Sequence, residues 1–289
     1  MRPHRRFAQL DVFANRPGAG NPLAVVVDSD GIDDQAMQAF ANWTNLSETT
    51  FLLPPTIPGA SYRVRIFTPR QELPFAGHPS VGSAHAALEA GLALPGDRRL
   101  VQECAAGLLP TRVDGDGEAR RIFVRAPRGQ VVPIEVEAAS WLGVLDGLAP
   151  GALPPALVDN GPRWWLVELN DENAVRAGTP DLAAIAQLTE ATDAVGLAVF
   201  ARCDNRDYQV VVRAYCPADG IPEDPVTGSA NAAIAAWLLH NQALPAPCYT
   251  ASQGREIGRD GFVHVEVDDG GDVWIGGQTR TVVTGTLDW

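Results

Sequence analysis

The chain has 289 residues, a formal net charge of -13, and 22 basic side chains that are all arginine. The absence of lysine excludes pyridoxal-phosphate catalysis, imine-forming aldolase chemistry, Walker-type nucleotide hydrolysis and a kinase that relies on a strand lysine, because each needs a lysine at its reacting centre. The acidic charge argues against nucleic acid or a membrane surface as a partner, since both attract a cationic footprint.

The first 128 residues are predicted to form one lobe of strands around a buried helix. Alternating and apolar runs predict strands, and helical spacing predicts a helix over 33–44. An alanine-rich run over 78–90, stopped by Gly91, predicts a second, buried helix. The predicted strands cover residues 7–13, 23–27, 48–53, 62–68, 100–103, 108–113 and 121–125.

A polar gap at 127–131 marks the predicted domain boundary, and the pattern then starts again over residues 129–280. Helices are predicted over 140–145, 180–188 and 228–240. The predicted strands cover residues 164–168, 194–201, 208–215, 248–251, 262–267, 273–275 and 281–287.

An internal repeat supports two similar lobes. Tyr62-Arg-Val-Arg-Ile is followed 146 residues later by Tyr208-Gln-Val-Val-Val, and the same offset takes Gly82-Ser-Ala to Gly228-Ser-Ala. Chance similarity between short, alanine-rich runs is the alternative. If the repeat is real, each lobe wraps a sheet around one helix, and two helix N-termini can hold an anion such as a carboxylate, with Gly77 and Gly228 opening the backbone to it.

Four cysteines and five histidines show no metal-ligand spacing. There is no CxxC pair and no HExxH motif, so we expect no metal, reduced thiols and a cytoplasmic location. No run is long and apolar enough to span a bilayer, and a signal peptide is not expected.

Three short runs carry the candidate chemistry. Glu48 enters an apolar strand, where desolvation would raise its pKa toward the range of a general base, although a solvated edge carboxylate is the simpler alternative. His78 begins a buried helix and can bond beside an anion, or be a helix cap or core histidine. Asp224 and Ser229 precede and open the second small-residue helix, where Ser229 can contact a ligand or only cap the helix.

These runs occur together in motifs that resemble the PhzF family of phenazine-biosynthesis isomerases, relatives of diaminopimelate epimerase. The resemblance covers residues 10 to about 283. It is carried by DVFANRPGAGNPLAVV at 11–26, NLSETTF at 45–51, RIFTPRQELPFAGHPSVG at 65–82 and EDPVTGSANAA at 223–233, with a fainter match in SQGREIGR at 252–259.

The resemblance implies an α+β fold of two pseudo-symmetric lobes, each a curled mixed sheet around a central helix. The lobes would cover 1–128, with the terminal strand 281–289, and 129–280, with the active site in the cleft between them. It superimposes Gly77-His78 on Gly228-Ser229, so the literal offset of 146 would fail in the loops. It also favours a homodimer.

For the mechanism, the resemblance implies proton transfer by Glu48 within a dihydro-hydroxyanthranilate-like carboxylate, without a cofactor. His78 and Asp224 would polarise the substrate, and Ser229 with the N–H groups of Gly77 and Gly228 would bind its carboxylate. The epimerase relatives use two thiols, at positions that correspond here to Ala76 and Thr227.

The sequence leaves two alternative functions open. One is epimerase or lyase chemistry of the same fold on another small carboxylate, because a fold does not fix a function. The other is a small-molecule binding protein without catalysis.

Overall fold

The computed structural model describes residues 4–93, 98–133, 143–144, 147–204 and 207–289. The chain divides into two compact units: Met1–Arg125 with Gly276–Trp289, here called the first unit, and Ala126–Ile275, the second unit. These boundaries lie a few residues from the predicted ones at 128 and 280.

Strands and helices are mixed in both units, so the predicted α+β class is confirmed. In chain order the regular elements begin with β1 (Arg5–Val12), β2 (Asn21–Val26), α1 (Asp34–Thr44), β3 (Glu48–Leu53), β4 (Tyr62–Phe67), β5 (Glu72–Leu73), α2 (Gly77–Glu89), β6 (Arg99–Cys104), β7 (Gly107–Asp114) and β8 (Arg121–Arg125). They continue with β9 (Gln130–Val132), β10 (Ala156–Asp159), β11 (Arg163–Glu168), α3 (Glu172–Ala177), α4 (Leu182–Ala191), β12 (Gly196–Arg202), β13 (Val210–Cys216), β14 (Ile221–Asp224), α5 (Gly228–His240), β15 (Cys248–Gln253), β16 (Gly261–Val267), β17 (Val273–Gly277) and β18 (Thr279–Leu287).

The first unit is built on a mixed sheet. β1 pairs antiparallel with β2 and with the last strand, β18. β2 then runs parallel to β3, β3 antiparallel to β4, and β4 parallel to β6. β6, β7 and β8 form an antiparallel meander.

The second unit repeats this order of pairings. β10 pairs antiparallel with β11, β11 parallel with β12, β12 antiparallel with β13, and β13 parallel with β15. In each unit a short hairpin strand, β5 or β14, leads into a 13-residue helix, α2 or α5. The predicted two-lobe repeat is therefore confirmed as a repeat of topology.

The literal offset of 146 residues is wrong for the helices. α2 begins at Gly77 and α5 at Gly228, whereas Gly82 lies inside α2. The equivalent strands β6 and β15 begin at Arg99 and Cys248. The connecting loops differ in length between the halves, so no single offset relates all the elements.

Both repeated helices are buried on nearly all sides. Every residue of α2 from Gly77 to Leu88 is buried, and so are most residues of α5. Small side chains allow this, because a helix that is apolar all round packs inside a domain rather than on its surface. Each sheet therefore surrounds a helix whose N-terminus lies within the unit.

Among the described strands and α-helices of the second unit, four were not predicted: β9, β14, β10 and α3. β10 is a four-residue strand, and α3 is a six-residue helix whose N-cap Asp171 accepts a bond from the Ala174 amide. Both are too short for periodicity to identify. The predicted helix over 140–145 lies outside the described residues except at 143–144. In the part of the chain that is described, no helix has the length and apolar character needed to span a membrane.

Candidate active site

Glu48 is the first residue of β3, an interior strand bonded to β2 on one side and β4 on the other. Its side chain is 16% exposed. The alternative of a solvated carboxylate on an edge strand is therefore wrong. The carboxylate lies instead where an apolar strand enters the unit, beside the N-terminus of α2.

His78 is the second residue of α2 and lies against Glu48. The distance from His78 Nε2 to Glu48 Oε2 is 3.4 Å, and both atoms are shielded from solvent. Burial lowers the pKa of His78 to about 3, while a bond to the Pro22 carbonyl opposes that shift. His78 is therefore neutral at physiological pH, and the contact with Glu48 is not an ion pair.

The partners of His78 fix where its proton lies. A ring N–H bonds to the Pro22 carbonyl, whereas Nε2 makes no hydrogen bond. The donor to Pro22 is therefore Nδ1, and Nε2 of the neutral ring carries a lone pair. Nε2 and Glu48 Oε2 face each other as two acceptors, an arrangement that a proton arriving on Glu48 would stabilise.

The N-terminus of α2 has no side-chain cap. Ala76 is the N-cap residue and has an extended conformation. Its side chain makes no hydrogen bond to the first turn of the helix. The first N–H groups of a helix lack intrahelical acceptors, and Gly77 is buried at this end. His78 is therefore neither the cap nor a core histidine with both nitrogens satisfied.

The corresponding group of the second unit surrounds the start of α5. Thr227 is the N-cap, and its hydroxyl donates to Asp224 Oδ2 at the end of β14. Gln253, at the end of β15, bonds to Thr227 and to the Asp224 carbonyl. Asp224 is 9% exposed and Gln253 fully buried, so this polar cluster is largely removed from water.

Ser229 is the second residue of α5 and does not cap it. Its hydroxyl oxygen accepts a hydrogen bond from the Trp164 indole at 3.1 Å. The side-chain amide of Asn160 donates through Nδ2 to the backbone carbonyl of Ser229 at 2.9 Å. Because Trp164 occupies an acceptor position of the hydroxyl, the Ser229 proton is available to donate to a ligand.

The structure thus groups Glu48, His78 and Gly77 in the first unit, and Asp224, Gly228 and Ser229 in the second. Among the residues described, no set of three or more histidine, cysteine or acidic side chains could hold a metal ion. The four cysteines are free thiols, and the N-caps Ala76 and Thr227 occupy the positions at which the thiols of the epimerase relatives were expected.

Trp164, Gln253 and Asn231 were not predicted as members of the site. Gln253 lies in the run at 252–259 and Asn231 in the run at 223–233, so two of the three stood within recognised motifs. Trp164 lies in an apolar strand, and nothing in its neighbours distinguishes it from a core tryptophan. Its role depends on the contact between β11 and α5, which only the folded chain provides.

Comparisons with known proteins identify the family. The sequence profile of the PhzC-PhzF family, phenazine biosynthesis-like proteins, matches residues 10–286. The chain is 36% identical to antisense-enhancing sequence 1 of Schizosaccharomyces pombe, over 96% of this chain and 97% of that protein. It is 34% identical to the trans-2,3-dihydro-3-hydroxyanthranilate isomerase of Pseudomonas aeruginosa, over 92% of each.

A solved structure supports the same assignment. The structure of a predicted epimerase from Pseudomonas aeruginosa superimposes with a TM-score of 0.80 at 28% identity, over 98% of this chain and 99% of that one. The chain therefore belongs to the PhzC-PhzF family of phenazine biosynthesis-like proteins, and it is an isomerase.

Proposed function

We propose that the chain moves a proton within a small cyclic or amino-acid-like carboxylate, of the dihydro-hydroxyanthranilate kind, with Glu48 as its acid/base residue and without a cofactor. The observation that carries the proposal is the 3.4 Å approach of the shielded Glu48 Oε2 and His78 Nε2 atoms. A carboxylate beside a neutral acceptor can take up a proton and hold it away from water. The relation to a dihydro-hydroxyanthranilate isomerase supports the substrate class.

The reaction needs one base only. Glu48 would take a proton from a carbon of the substrate, so that a C–H bond breaks and an O–H bond forms on Glu48. His78 Nε2 would accept a hydrogen bond from that O–H group. The same proton would then return to another carbon on the same face, and the enol would tautomerise to a ketone.

Binding of the substrate would use neutral donors. In this proposal the N–H groups of Gly77 and Gly228 and the hydroxyl of Ser229 hold the carboxylate, since helix N-termini favour anions. Asp224 accepts polar hydrogens of the substrate. No lysine is needed for this kind of recognition.

The chemistry at the helix N-caps argues against two-base epimerisation. A two-thiol mechanism needs a cysteine at each N-cap, whereas Ala76 and Thr227 occupy these positions. Neither side chain can act as a base at neutral pH. Single-base transfer through Glu48 is therefore the better fit to the residues present.

The test is the reaction of trans-2,3-dihydro-3-hydroxyanthranilate in D₂O, where deuterium enters the product as the enol formed by the proton transfer tautomerises to a ketone. Wild type should incorporate deuterium, whereas Glu48→Gln should lose at least about a hundredfold in rate and still bind the compound. Glu72→Gln is the matched control, because Glu72 pairs with Arg65 in an exposed ion pair and makes no contact with His78. Turnover by Glu48→Gln at the wild-type rate would rule out the mechanism.

Other outcomes separate the alternatives. Exchange by wild type only with a different member of a panel of amino acids and cyclic carboxylates would indicate epimerase or lyase chemistry on another substrate. Binding of a panel member with no exchange by wild type would indicate a binding protein.

A further inference from the structure

Gln253 makes all four hydrogen bonds that its side-chain amide can form. Its Oε1 accepts from the Thr227 amide at 3.0 Å and from Asn231 Nδ2 at 3.1 Å. Its Nε2 donates to the Asp224 carbonyl at 3.0 Å and to Thr227 Oγ1 at 2.9 Å. The side chain is fully buried, so water does not compete for these bonds.

The orientation of this amide is fixed by backbone groups. The Thr227 N–H can only donate, so the atom facing it must be the Gln253 oxygen. The Asp224 carbonyl can only accept, so the atom facing it must be the Gln253 nitrogen. A flipped amide would break both bonds, which removes the usual ambiguity between the oxygen and nitrogen of a glutamine side chain.

The orientation of the Gln253 amide also fixes the direction in which the Thr227 hydroxyl proton points. Because Gln253 Nε2 donates to Thr227 Oγ1, the hydroxyl proton must point elsewhere, and its nearest acceptor is Asp224 Oδ2. With its single proton directed at Asp224 Oδ2, the hydroxyl donates to that carboxylate and does not accept from it. The chain of bonds therefore runs in one direction, from Gln253 through Thr227 to Asp224.

We propose that Gln253 is a positioning residue that locks the Thr227 hydroxyl as a donor to Asp224 and thereby keeps Asp224 an ionised acceptor for polar hydrogens of the substrate. This inference rests on the proposed function, because that function assigns Asp224 its role in binding the substrate. The physical reason is that hydrogen bonds donated to a carboxylate favour its charged form, which burial alone would disfavour. Because all four hydrogen-bonding positions of the Gln253 amide are used within the protein, Gln253 acts through Thr227 and not on the substrate directly.

Charged groups on the surrounding elements have partners of their own. Glu223, beside Asp224 on β14, pairs with Arg213 of β13. In the loop after β15, Arg255 pairs with Asp260 and Glu256 with Arg176 of α3. These pairs act on Asp224 equally in wild type and in variants at Gln253, so a difference between the two proteins reports on the directed bonds.

The test is a titration of the Asp224 carboxyl group in the full-length protein. Aspartate labelled with ¹³C at the side-chain carboxyl carbon gives the signal, which is assigned by its loss in Asp224→Asn. Gln253→Met should move the midpoint of this titration upward by about one pH unit, because a hydrogen bond to a charged group is worth roughly one to two such units. Thr227→Val should move it upward by a similar amount.

Matched variants distinguish directed donation from general loosening. The double variant Gln253→Met/Thr227→Val should show no larger shift than either single variant, since both break the same chain of bonds. Thr227→Ser, which keeps the hydroxyl, should restore the wild-type midpoint. Gln209→Leu should leave it unchanged, because Gln209 bonds to the backbone N–H of Thr250.

An unchanged midpoint in Gln253→Met would overturn the inference, as would additive shifts in the double variant. If Gln253→Met does not fold, Thr227→Val decides, and an unchanged midpoint there has the same meaning. The titration needs no substrate, so failure of wild type to incorporate deuterium would refute the proposed function and leave this test valid. Where wild type is active, the acidic limb of kcat/KM should shift by the same amount, whereas a purely structural defect would lower kcat without moving it.

Discussion

His78 combines burial with a neutral ring. It is 5% exposed at the start of α2, where its Nδ1–H is held by the Pro22 carbonyl and its pKa is lowered to about 3 by burial. In the unfolded chain the same group has a pKa near 6.5. The unfolded state therefore binds a proton between these two values that the folded state does not.

This difference predicts a loss of stability at acidic pH. The contribution of His78 is fully retained above about pH 6.5 and declines as the pH falls toward 3, by about 3 kcal/mol between pH 7 and pH 4. His78→Asn should flatten the dependence by about that amount, because its side chain does not titrate there. Urea denaturation at both pH values measures the difference, and equal losses in the two proteins would contradict it.

In the proposed site, the bond from Trp164 orients the Ser229 hydroxyl as a donor to the substrate. Trp164→Phe keeps most of the ring but removes the indole N–H that bonds to the Ser229 hydroxyl. The hydroxyl can then rotate, and about 1 kcal/mol of substrate binding should be lost, or roughly a fivefold rise in KM with little change in kcat.

The neighbouring tryptophan provides the control for this prediction. Trp165 donates its indole N–H to Thr192 at 2.8 Å, in contact with α4 rather than α5. Trp165→Phe should therefore leave KM unchanged. Steady-state kinetics on both variants would contradict the role of Trp164 if the two changed KM equally.

At the scale of elements, α2 can be buried on nearly all sides only because its residues are small. A Cβ at Gly82 would lie 2.5 Å from Leu23 Cδ2 and 2.8 Å from Val12 Cγ2, and both of these side chains are fully buried in β2 and β1. Crowding in a packed core costs more than the gain in helix propensity that alanine normally brings.

Gly82→Ala should therefore destabilise the protein by about 1–3 kcal/mol, although glycine to alanine in an open helix stabilises by nearly 1 kcal/mol. Gly285→Ala is the control, since nothing lies within 4 Å of a Cβ at Gly285. Its effect should lie within about 0.5 kcal/mol. Chemical denaturation gives both values, and a stabilising Gly82→Ala would show that α2 has room.

At the scale of the whole molecule, the first unit is made from two distant parts of the chain. The chain leaves it at Arg125 and returns at Gly276, and β18 then pairs along all of β1, from Arg5 with Leu287 to Val12 with Thr279. The unit therefore depends on contacts between residues more than 250 positions apart, which are costly to form during folding.

This arrangement predicts how fragments behave. Residues 4–125 alone should lack a cooperative urea transition, because β1 loses β18, one of its two partner strands. The segment 276–289, joined by a short Gly-Ser linker ahead of residue 4, should restore the transition, since Leu287 lies opposite Arg5 at a typical strand spacing of about 5 Å. A cooperative transition of equal midpoint in the fragment without β18 would contradict this.

The sequence by itself determined the local elements and the family. The segments α1, α5 and β3 were predicted within a residue of their bounds. In α1 the apolar positions recur at helical spacing, whereas α5 and β3 are recognisable as continuous runs of small or apolar residues. The motifs at 45–51, 65–82 and 223–233 placed Glu48, His78, Asp224 and Ser229 as candidates. Short elements such as α3 and β10 carried too few residues for a period to be visible.

The tertiary structure decided the charge state of His78 and the direction of the hydrogen bonds at Asp224 and Ser229. The neutral state of His78 depends on burial, and the position of its ring proton depends on the Pro22 carbonyl, which lies 56 positions earlier in the chain. The hydroxyl of Thr227, which donates to Asp224, accepts from Gln253, and the hydroxyl of Ser229 accepts from Trp164. The direction of a hydrogen bond depends on which atoms of separate elements are in contact. A sequence pattern gives the residue types but not those contacts.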